Sequence, residues 1–406
     1  MSSLCGHPHS PAVKTPLEDD DLLSEILLRL PPQPSSLPRV SLVCKRWHTI
    51  ASDRGFSRRF RIHHRRKPPL LGFFDGVLGS FQPTLEAPNS VPPGRFSLQH
   101  GDCFWSFGCR HGLALIFDLT GLCFLVCDPV TGDQHRVAIP SGLATRAQEI
   151  VINGAVFRTG RDAHFQVVLT TADNDDKQNR QALACVYSSE TGVWGDLIST
   201  PLPFEVPTSD DPTIPTFVIP SKPAVLAGNS IYWKLTGNFV GILEFDLDKQ
   251  NLAVIRVPVY MPEISVFWIM RAEGGGLGLL FHTGSSIQLW KRRTDHDGFA
   301  TWALGRTIEL DKLLSQEKST MILGLLGYAE ENNVVYLWAS GDVFMVHLES
   351  LQFKKLFETS YVSKCHPFES VYTAGNNTPT HIGYNKTKLI SDNCLKEYIS
   401  YPFVLS

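Results

Sequence analysis

Short apolar runs separated by turn residues make up the chain from residue 70 to residue 406. These runs are rich in aromatic and β-branched residues, which are typical of strands, and long helical stripes are nearly absent. One unit recurs, in which a strand ends at an acidic or polar turn and a second strand follows. Copies of this hairpin begin near residues 124, 184, 242 and 343, with a degenerate copy over 287–302. Several copies are preceded by a hydrophobic strand that follows a glycine.

The spacing of the hairpins predicts a β-propeller. The clear copies lie about 60, 58 and 100 residues apart, and the degenerate copy falls inside the longest interval. Units of about 45–60 residues fit the four-stranded blades of a propeller. The roughly 335 residues after position 70 would then give six blades. A β-sandwich or an irregular barrel is the alternative, because the paired glycines of kelch repeats are missing.

Residues 15–62 carry a helical pattern instead. A first helix is expected to begin at Thr15, in a capping box with Pro16 at its first position, and to end before Pro31. A second helix is expected to start at Ser35 or Ser36, either of which can cap it, and a short third helix is expected after it. A unit this small cannot bury all of its apolar residues alone, so they form either a partner site or a cap on the following domain.

The order of residues in this helical segment resembles the F-box motif. The match runs through Leu17, then DLLSEILLRLP at 21–31, then Leu37 with Arg39, then LVCKRW at 42–47. Both residue type and spacing are kept over about 40 residues, although Glu18 departs from the usual proline. The resemblance implies docking on the small adaptor protein that links F-box proteins to a cullin. It assigns the adaptor-binding face to Leu17, Leu22, Leu23, Ile26, Leu27, Leu30, Pro31, Leu37, Val40, Val43, Cys44 and Trp47.

The whole arrangement resembles plant-type F-box proteins with a C-terminal F-box-associated, kelch-like β-propeller. The expected fold is mainly β, with a small N-terminal α module of three helices and a six-bladed propeller. The resemblance implies a non-catalytic substrate-recognition subunit of a cullin-based, SCF-type ubiquitin ligase. Its expected partners are the adaptor, a cullin through it, and an unidentified substrate protein. The expected domains are a flexible N-terminus at 1–14, the F-box at 15–62, a basic, proline-containing linker at 63–69 and the propeller at 70–406.

No catalytic motif is recognisable, and neither a cofactor nor a metal is expected. The glycine-rich stretch at 272–278 lacks the lysine and the helix of a phosphate loop. Four clustered cysteines, with His111 among them, match no common zinc spacing, so free thiols on buried strands are expected. These cysteines are Cys103, Cys109, Cys123 and Cys127. A propeller hydrolase or oxidase is the alternative function, since propeller sites are assembled from distant strands, and an F-box role outside a ligase also stays open.

The net charge of the chain changes sign where the helical pattern gives way to the strand pattern. Residues 1–67 carry a net charge of +6, so the remainder carries −9 of the total of −3. The basic run at 58–67 indicates either a nucleic-acid patch or a solvated helix end, and the second is favoured. The first residues contain no apolar signal segment and the apolar stretch at 112–130 is interrupted by Asp118, so we expect neither secretion nor a membrane span. A cytoplasmic or nuclear location follows.

Recognition of a target is expected from loops on the rigid β scaffold. The longest loops are expected at 83–101, 173–182 and 204–222, and the last of these is the first choice for a specificity element. Tryptophans on or beside strands should mostly fill blade cores, although one or two could form a binding surface. They are Trp194, Trp233, Trp290, Trp302 and Trp338.

Overall fold

A computed structural model of the chain shows a small helical module followed by a ring of β-sheets. It describes residues 17, 19–77, 79–92, 94–96, 98, 103–144, 152–160, 164–173, 180–203, 215–220, 222–257, 267–283, 286–294, 297, 299–310, 322–359 and 363–373. Most of the loops expected at 173–182 and 204–222 lie outside these residues, as does Thr15.

The helical module contains four described helices before residue 65. They are α1 (Asp20–Leu28), α2 (Ser36–Ser41), α3 (Lys45–Ser52) and α4 (Arg54–His64). Asp19 caps α1, since its Oδ1 accepts from the backbone N–H groups of Asp21 at 2.9 Å and Leu22 at 3.0 Å. The helix start expected at Thr15 was therefore wrong. The second expected helix is interrupted at 42–44, and Asp53 starts α4 by accepting from Phe56 N at 2.6 Å.

Strands of the described residues form six antiparallel sheets, each one blade, which confirms the six-bladed propeller. The closing blade joins β1 (Leu70–Asp75), β2 (Phe81–Pro83) and β25 (Cys365–Glu369). The second blade holds β3 (Phe104–Arg110), β4 (Leu113–Asp118), β5 (Cys123–Asp128) and β6 (Asp133–Ala138), and a short helix α5 (Ser141–Ala144) follows. The third holds β7 (Ile152–Arg158), β8 (Phe165–Asp173), β9 (Gln181–Ser188), β10 (Val193–Trp194) and β11 (Ile198–Pro201).

The remaining three blades follow in chain order. The fourth blade holds β12 (Phe217–Val218), β13 (Val225–Ala227), β14 (Ser230–Thr236), β15 (Gly241–Asp246) and β16 (Asn251–Arg256). The fifth holds β17 (Phe267–Arg271), β18 (Leu277–Thr283), β19 (Ser286–Thr294) and β20 (Ala300–Glu309). The sixth holds β21 (Ile322–Ala329), β22 (Val334–Ala339), β23 (Asp342–His347) and β24 (Phe353–Glu358).

Aspartates at strand ends shape the recurring hairpins. Asp128 Oδ1, at the end of β5, accepts from the backbone N–H groups of Val130 at 3.0 Å and Thr131 at 3.2 Å. Asp246, at the end of β15, accepts in the same way from the N–H groups of Asp248 and Lys249. Such Asx turns reverse the chain without a partner from outside the hairpin. This local chemistry explains why the hairpins were visible in the sequence.

The closing blade takes its strands from both ends of the propeller. β1 pairs antiparallel with β25, from Leu70 opposite Glu369 to Asp75 opposite Cys365. β25 in turn lies beside β3 of the second blade and β21 of the sixth. Phenylalanines seal this blade, with the ring of Phe74 5.3 Å from those of both Phe81 and Phe368. The ring of blades is therefore held closed by contacts between residues nearly 300 positions apart.

The contact between β21 and β25 leaves no room for a side chain at Gly327. A Cβ there would overlap Cys365 O, whereas a Cβ at Gly324, on the same strand, would meet nothing within 4 Å. We expect Gly327→Ala to lower the free energy of unfolding by about 1–3 kcal/mol, because the sixth blade must shift away from the closing blade. Gly324→Ala should change it by less than about 0.5 kcal/mol. Chemical denaturation of both variants checks this, and equal effects would contradict the close approach.

Candidate functional site

The apolar stripe of α1 divides into two faces. Leu23 and Leu27 are buried, while Leu22 and Ile26, one residue earlier in each turn, are 51% and 43% exposed. Because the helix has 3.6 residues per turn, adjacent residues are about 100° apart around its axis and can lie at the two edges of one wide stripe. The residues of the matched motif therefore fall into two groups, one buried and one exposed.

Buried motif residues form the core of the helical module. Leu23, Leu27, Leu37 and Val40 pack in one cluster with Phe56 and Phe60 of α4. Leu30 and Trp47 pack against this cluster while partly exposed. Packing between the helices covers the side chains of Leu23, Leu27, Leu37 and Val40, and their assignment to an adaptor-binding face stays a prediction. In this structure they hold the helices in place.

Exposed motif residues form what we term the docking face, comprising Leu17, Leu22, Ile26, Leu42 and Val43. Leu17 is 48%, Val43 60% and Leu42 86% exposed. Leu42 belongs to the matched motif but was missing from the residues expected to bind the adaptor. Pro31 and Cys44, which were expected there, are also exposed. Large apolar side chains left in water on a module with a complete core are typical of a partner site.

Arg46 ties the two halves of the docking face together. Its Nε donates to Asp20 Oδ1 at 2.7 Å, and its Nη1 donates to Leu17 O at 2.6 Å. Arg46 lies three residues after Val43, so these bonds hold the start of α1 against the start of α3. Leu22 on α1 and Val43 in the turn just before α3 are thereby held on parts of the module that are fixed to each other.

Other contacts anchor the helical module to the propeller. Val371, two residues after β25, is 4% exposed and lies in the helical core. Asn89 Oδ1 accepts from Ser35 N at 3.2 Å and from Ser35 Oγ at 2.7 Å. Arg65 Nη1 donates to Gly160 O at 3.1 Å. The module is thus packed on the ring of blades and not joined to it by a linker alone.

Tryptophans of the propeller mostly have structural positions. Trp233 is 1% exposed, in a core shared by the third and fourth blades. Trp194, Trp302 and Trp338 are partly buried, and their Nε1–H groups donate to the carbonyls of Ala138, Arg256 and Thr359. Sequence reasoning missed Trp268 of β17, which lines the cavity on the propeller axis. Its strand has no glycine before it in the sequence and lies outside the recurring hairpins, so neither signal pointed to it.

The clustered cysteines differ in whether they are free or disulfide-bonded. Cys109, Cys123 and Cys127 are free thiols, and burial raises the pKa of Cys127 to about 11. Cys103 is disulfide-bonded, so the free thiol expected there was wrong. Within the described residues, no three His, Cys, Asp or Glu side chains are arranged to hold a metal ion. A thiol that stays protonated is a packing group and not a nucleophile.

A belt of ion pairs crosses one end of the propeller axis. Arg110, at the end of β3, binds Glu330 with Nε at 3.0 Å from Oε2, and also donates to Ala224 O at 2.6 Å. Arg271, at the end of β17, binds Glu331 at 3.0 Å and Leu226 O at 3.2 Å. These bonds join the second, fourth, fifth and sixth blades, and buried pairs of this kind fix geometry more than they add stability.

Glu369 of β25 completes the belt. Its Oε1 accepts from Glu331 N at 3.0 Å and from Asn332 N and Nδ2, each at 2.8 Å. Burial raises the pKa of this carboxyl from 4.5 to about 7, although the bonds from Asn332 and Glu331 oppose the shift. The group therefore changes charge near neutral pH.

Comparison with known protein families agrees with this architecture. A family model described as the β-propeller of F-box protein AT5G49610-like matches residues 107–374, and an F-box-like model matches residues 20–63. The first match alone covers more than half of the chain. The chain belongs to the F-box protein AT5G49610-like β-propeller family. An F-box-like domain with a β-propeller is the arrangement of an F-box substrate receptor, and F-box-like domains in general bind the adaptor of an SCF ligase and, through it, a cullin.

More distant comparisons add little. No curated protein matches the chain. Matched solved structures include dipeptidyl peptidase 4 from Porphyromonas gingivalis, 11% identical with a TM-score of 0.32 over 70% of this chain and 42% of that one. Another is the calcium-binding protein regucalcin from Agrobacterium tumefaciens, 12% identical with a TM-score of 0.34 over 62% and 72%. At these TM-scores neither carries an argument about this family member. Within the described residues, no helix is long and apolar enough to cross a membrane.

The raised pKa of Glu369 makes a pH dependence of stability testable. A carboxyl whose pKa is higher in the folded state stabilises fully below pH 4.5, and this contribution is lost as the pH rises through about 7. Glu369→Gln keeps an oxygen for all three hydrogen bonds but does not titrate. Between pH 5 and pH 8 we expect the wild type to lose about 2.5 kcal/mol of unfolding free energy relative to this variant.

Chemical denaturation at the two pH values measures the difference. The exposed Glu190→Gln substitution is the control, and its difference from wild type should stay constant. A constant difference for Glu369→Gln as well would contradict the raised pKa.

Proposed function

We propose that this protein is the substrate-recognition subunit of an SCF-type ubiquitin ligase. The docking face binds the adaptor, and the propeller binds a target protein. The F-box helical domain then ends with α4, and the propeller extends from residue 70 over the rest of the chain. The chain itself supplies no catalytic group in this proposal. Ubiquitin transfer is accelerated because the target is held near the assembled ligase, which is catalysis by proximity.

One observation carries this proposal: the exposed apolar docking face on a module whose core is already filled. Leu22, Ile26, Leu42 and Val43 are held out in solvent while the residues beside them pack inside. Apolar area removed from water contributes about 25 cal/mol per Å². A partner that lays its helices on this face would therefore gain free energy without rearranging the module, in the helix-in-groove manner.

Rigid anchoring supports the second half of the proposal. A receptor positions its target only if the docking module and the recognition domain keep a fixed relation. Val371 in the helical core and the Asn89–Ser35 bonds supply that relation here. They connect the module to the closing blade, which also holds the two ends of the ring.

Binding of the purified adaptor tests the docking face directly. We expect Leu22→Ser/Val43→Ser in the full chain to weaken adaptor binding by at least about 30-fold, since exposed anchors at a protein interface are often worth about 2 kcal/mol each. Isothermal titration calorimetry gives the affinity. Folding should be unchanged, because both side chains are already in solvent.

A matched control is available on the propeller. Val193 is 60% exposed, like Val43, and Leu304 is 48% exposed, close to Leu22. The Leu304→Ser/Val193→Ser variant should bind the adaptor as the wild type does. Wild-type affinity in the docking-face variant, or no binding by the intact chain, would overturn the proposal.

A further inference from the structure

A cavity of about 40 Å³ lies on the propeller axis. Its lining includes Gly108, Lys222, Lys234, Trp268 and His366, contributed by strands of several blades and the segments between them. A buried water needs at least about 10–15 Å³, so the cavity holds roughly three waters. That volume suits one small polar group and excludes a large ring system.

Two lysines line this cavity, and a third lies close to its Trp268 wall. Lys222 Nζ lies 4.6 Å and Lys364 Nζ 5.3 Å from the ring centroid of Trp268, while Lys234 Nζ donates to Phe267 O at 3.1 Å. Burial lowers the pKa of all three, that of Lys234 to about 7, and the neighbouring lysines lower the pKa of Lys222 further. Three amines packed together in this way would all gain from a nearby negative charge.

Two carboxylates, those of Glu330 and Glu369, also line the cavity, and both are engaged by other groups. Glu330 is paired with Arg110, and Glu331 is paired with Arg271. Glu369 accepts three hydrogen bonds from Glu331 and Asn332. Among the residues that the structure describes, no carboxylate lies within salt-bridge distance of Lys222 or Lys364. The amines of Lys222 and Lys364 therefore lack a described carboxylate that would stabilise their charged forms, which agrees with their lowered pKa values.

His366 supplies an independent indication of a ligand. The residue is 2% exposed, and within the described part of the chain nothing forms a hydrogen bond with its Nδ1. A Cβ at Gly108 would lie 3.8 Å from this atom, and glycine leaves that space open. A buried polar atom without a partner costs free energy unless something bonds to it, so its position beside the cavity points to a bound group.

We propose that the axial cavity binds a single oxyanion, either a carboxylate or a phosphate group. The ammonium groups of Lys222 and Lys234 and the Nδ1–H of His366 hold its oxygens, and Lys364 adds positive potential. The oxyanion belongs either to a small molecule or to an acidic side chain of a protein bound at the propeller. This inference does not depend on adaptor binding by the docking face.

Thermal unfolding of the full chain with increasing inorganic phosphate or sodium acetate, at constant ionic strength, tests the site. We expect a saturable rise in Tm for the wild type, and at least a tenfold weaker response for Lys222→Met. The methionine keeps the apolar stem and removes a buried, repelling amine. Without ligand this variant should therefore be at least as stable as the wild type, so a weaker response cannot result from misfolding.

Lys249→Met is the control, because Lys249 is an exposed residue paired with Asp246. It should respond to phosphate as the wild type does. A second arm adds an alanine-based peptide that carries one phosphoserine. Stabilisation by free phosphate or acetate identifies a small oxyanion, and stabilisation by the peptide alone identifies a side-chain oxyanion. No saturable response to any probe, or equal responses of Lys222→Met and Lys249→Met, would overturn the proposal.

Discussion

Pairing of β1 with β25 is the interaction on which the rest of the structure depends. It joins strands nearly 300 residues apart, so its formation must overcome the loop-closure entropy of the whole propeller. The local hairpins form from adjacent residues, but only this pairing turns them into a ring. The same strand carries His366 and Glu369 to the axis, and two residues later Val371 enters the helical core. The pairing of β25 therefore closes the ring, completes the axial cavity and positions the residue on which the helical module packs.

In the proposed function, residues at this junction fix the adaptor-binding module relative to the substrate-binding propeller. The helical module presents apolar side chains to solvent on helices fixed by Arg46, and it packs on the propeller through Val371 and Ser35. A flexible joint would let a bound target diffuse away from the ligase, and the effective concentration of its lysines would fall. The ion pairs of Arg110 and Arg271 across the axis link the blades of the propeller to one another.

Features that depend on residues close in the sequence could be predicted from the sequence, whereas features that depend on long-range contacts could not. The motif residues predicted a helical module, and the Asx turns at Asp128 and Asp246 predicted the hairpins, because each depends on neighbours a few positions away. Periodicity could not separate Leu22 from Leu23, since both belong to one stripe and only the packing of α4 decides which side is covered. Trp268 and His366 carry no local signal at all. Their position on the axis follows from the pairing of the chain ends, which no pattern within one blade encodes.

Hydrogen–deuterium exchange of the full chain, with and without the purified adaptor, tests the central claim most directly. The account predicts slower exchange on adaptor binding in α1 and in the 42–47 segment, with the strands of the propeller unchanged. These two segments carry most of the docking face. Unchanged exchange in α1, or slower exchange concentrated in the blades, would contradict the assignment of the helical module as the adaptor-binding element.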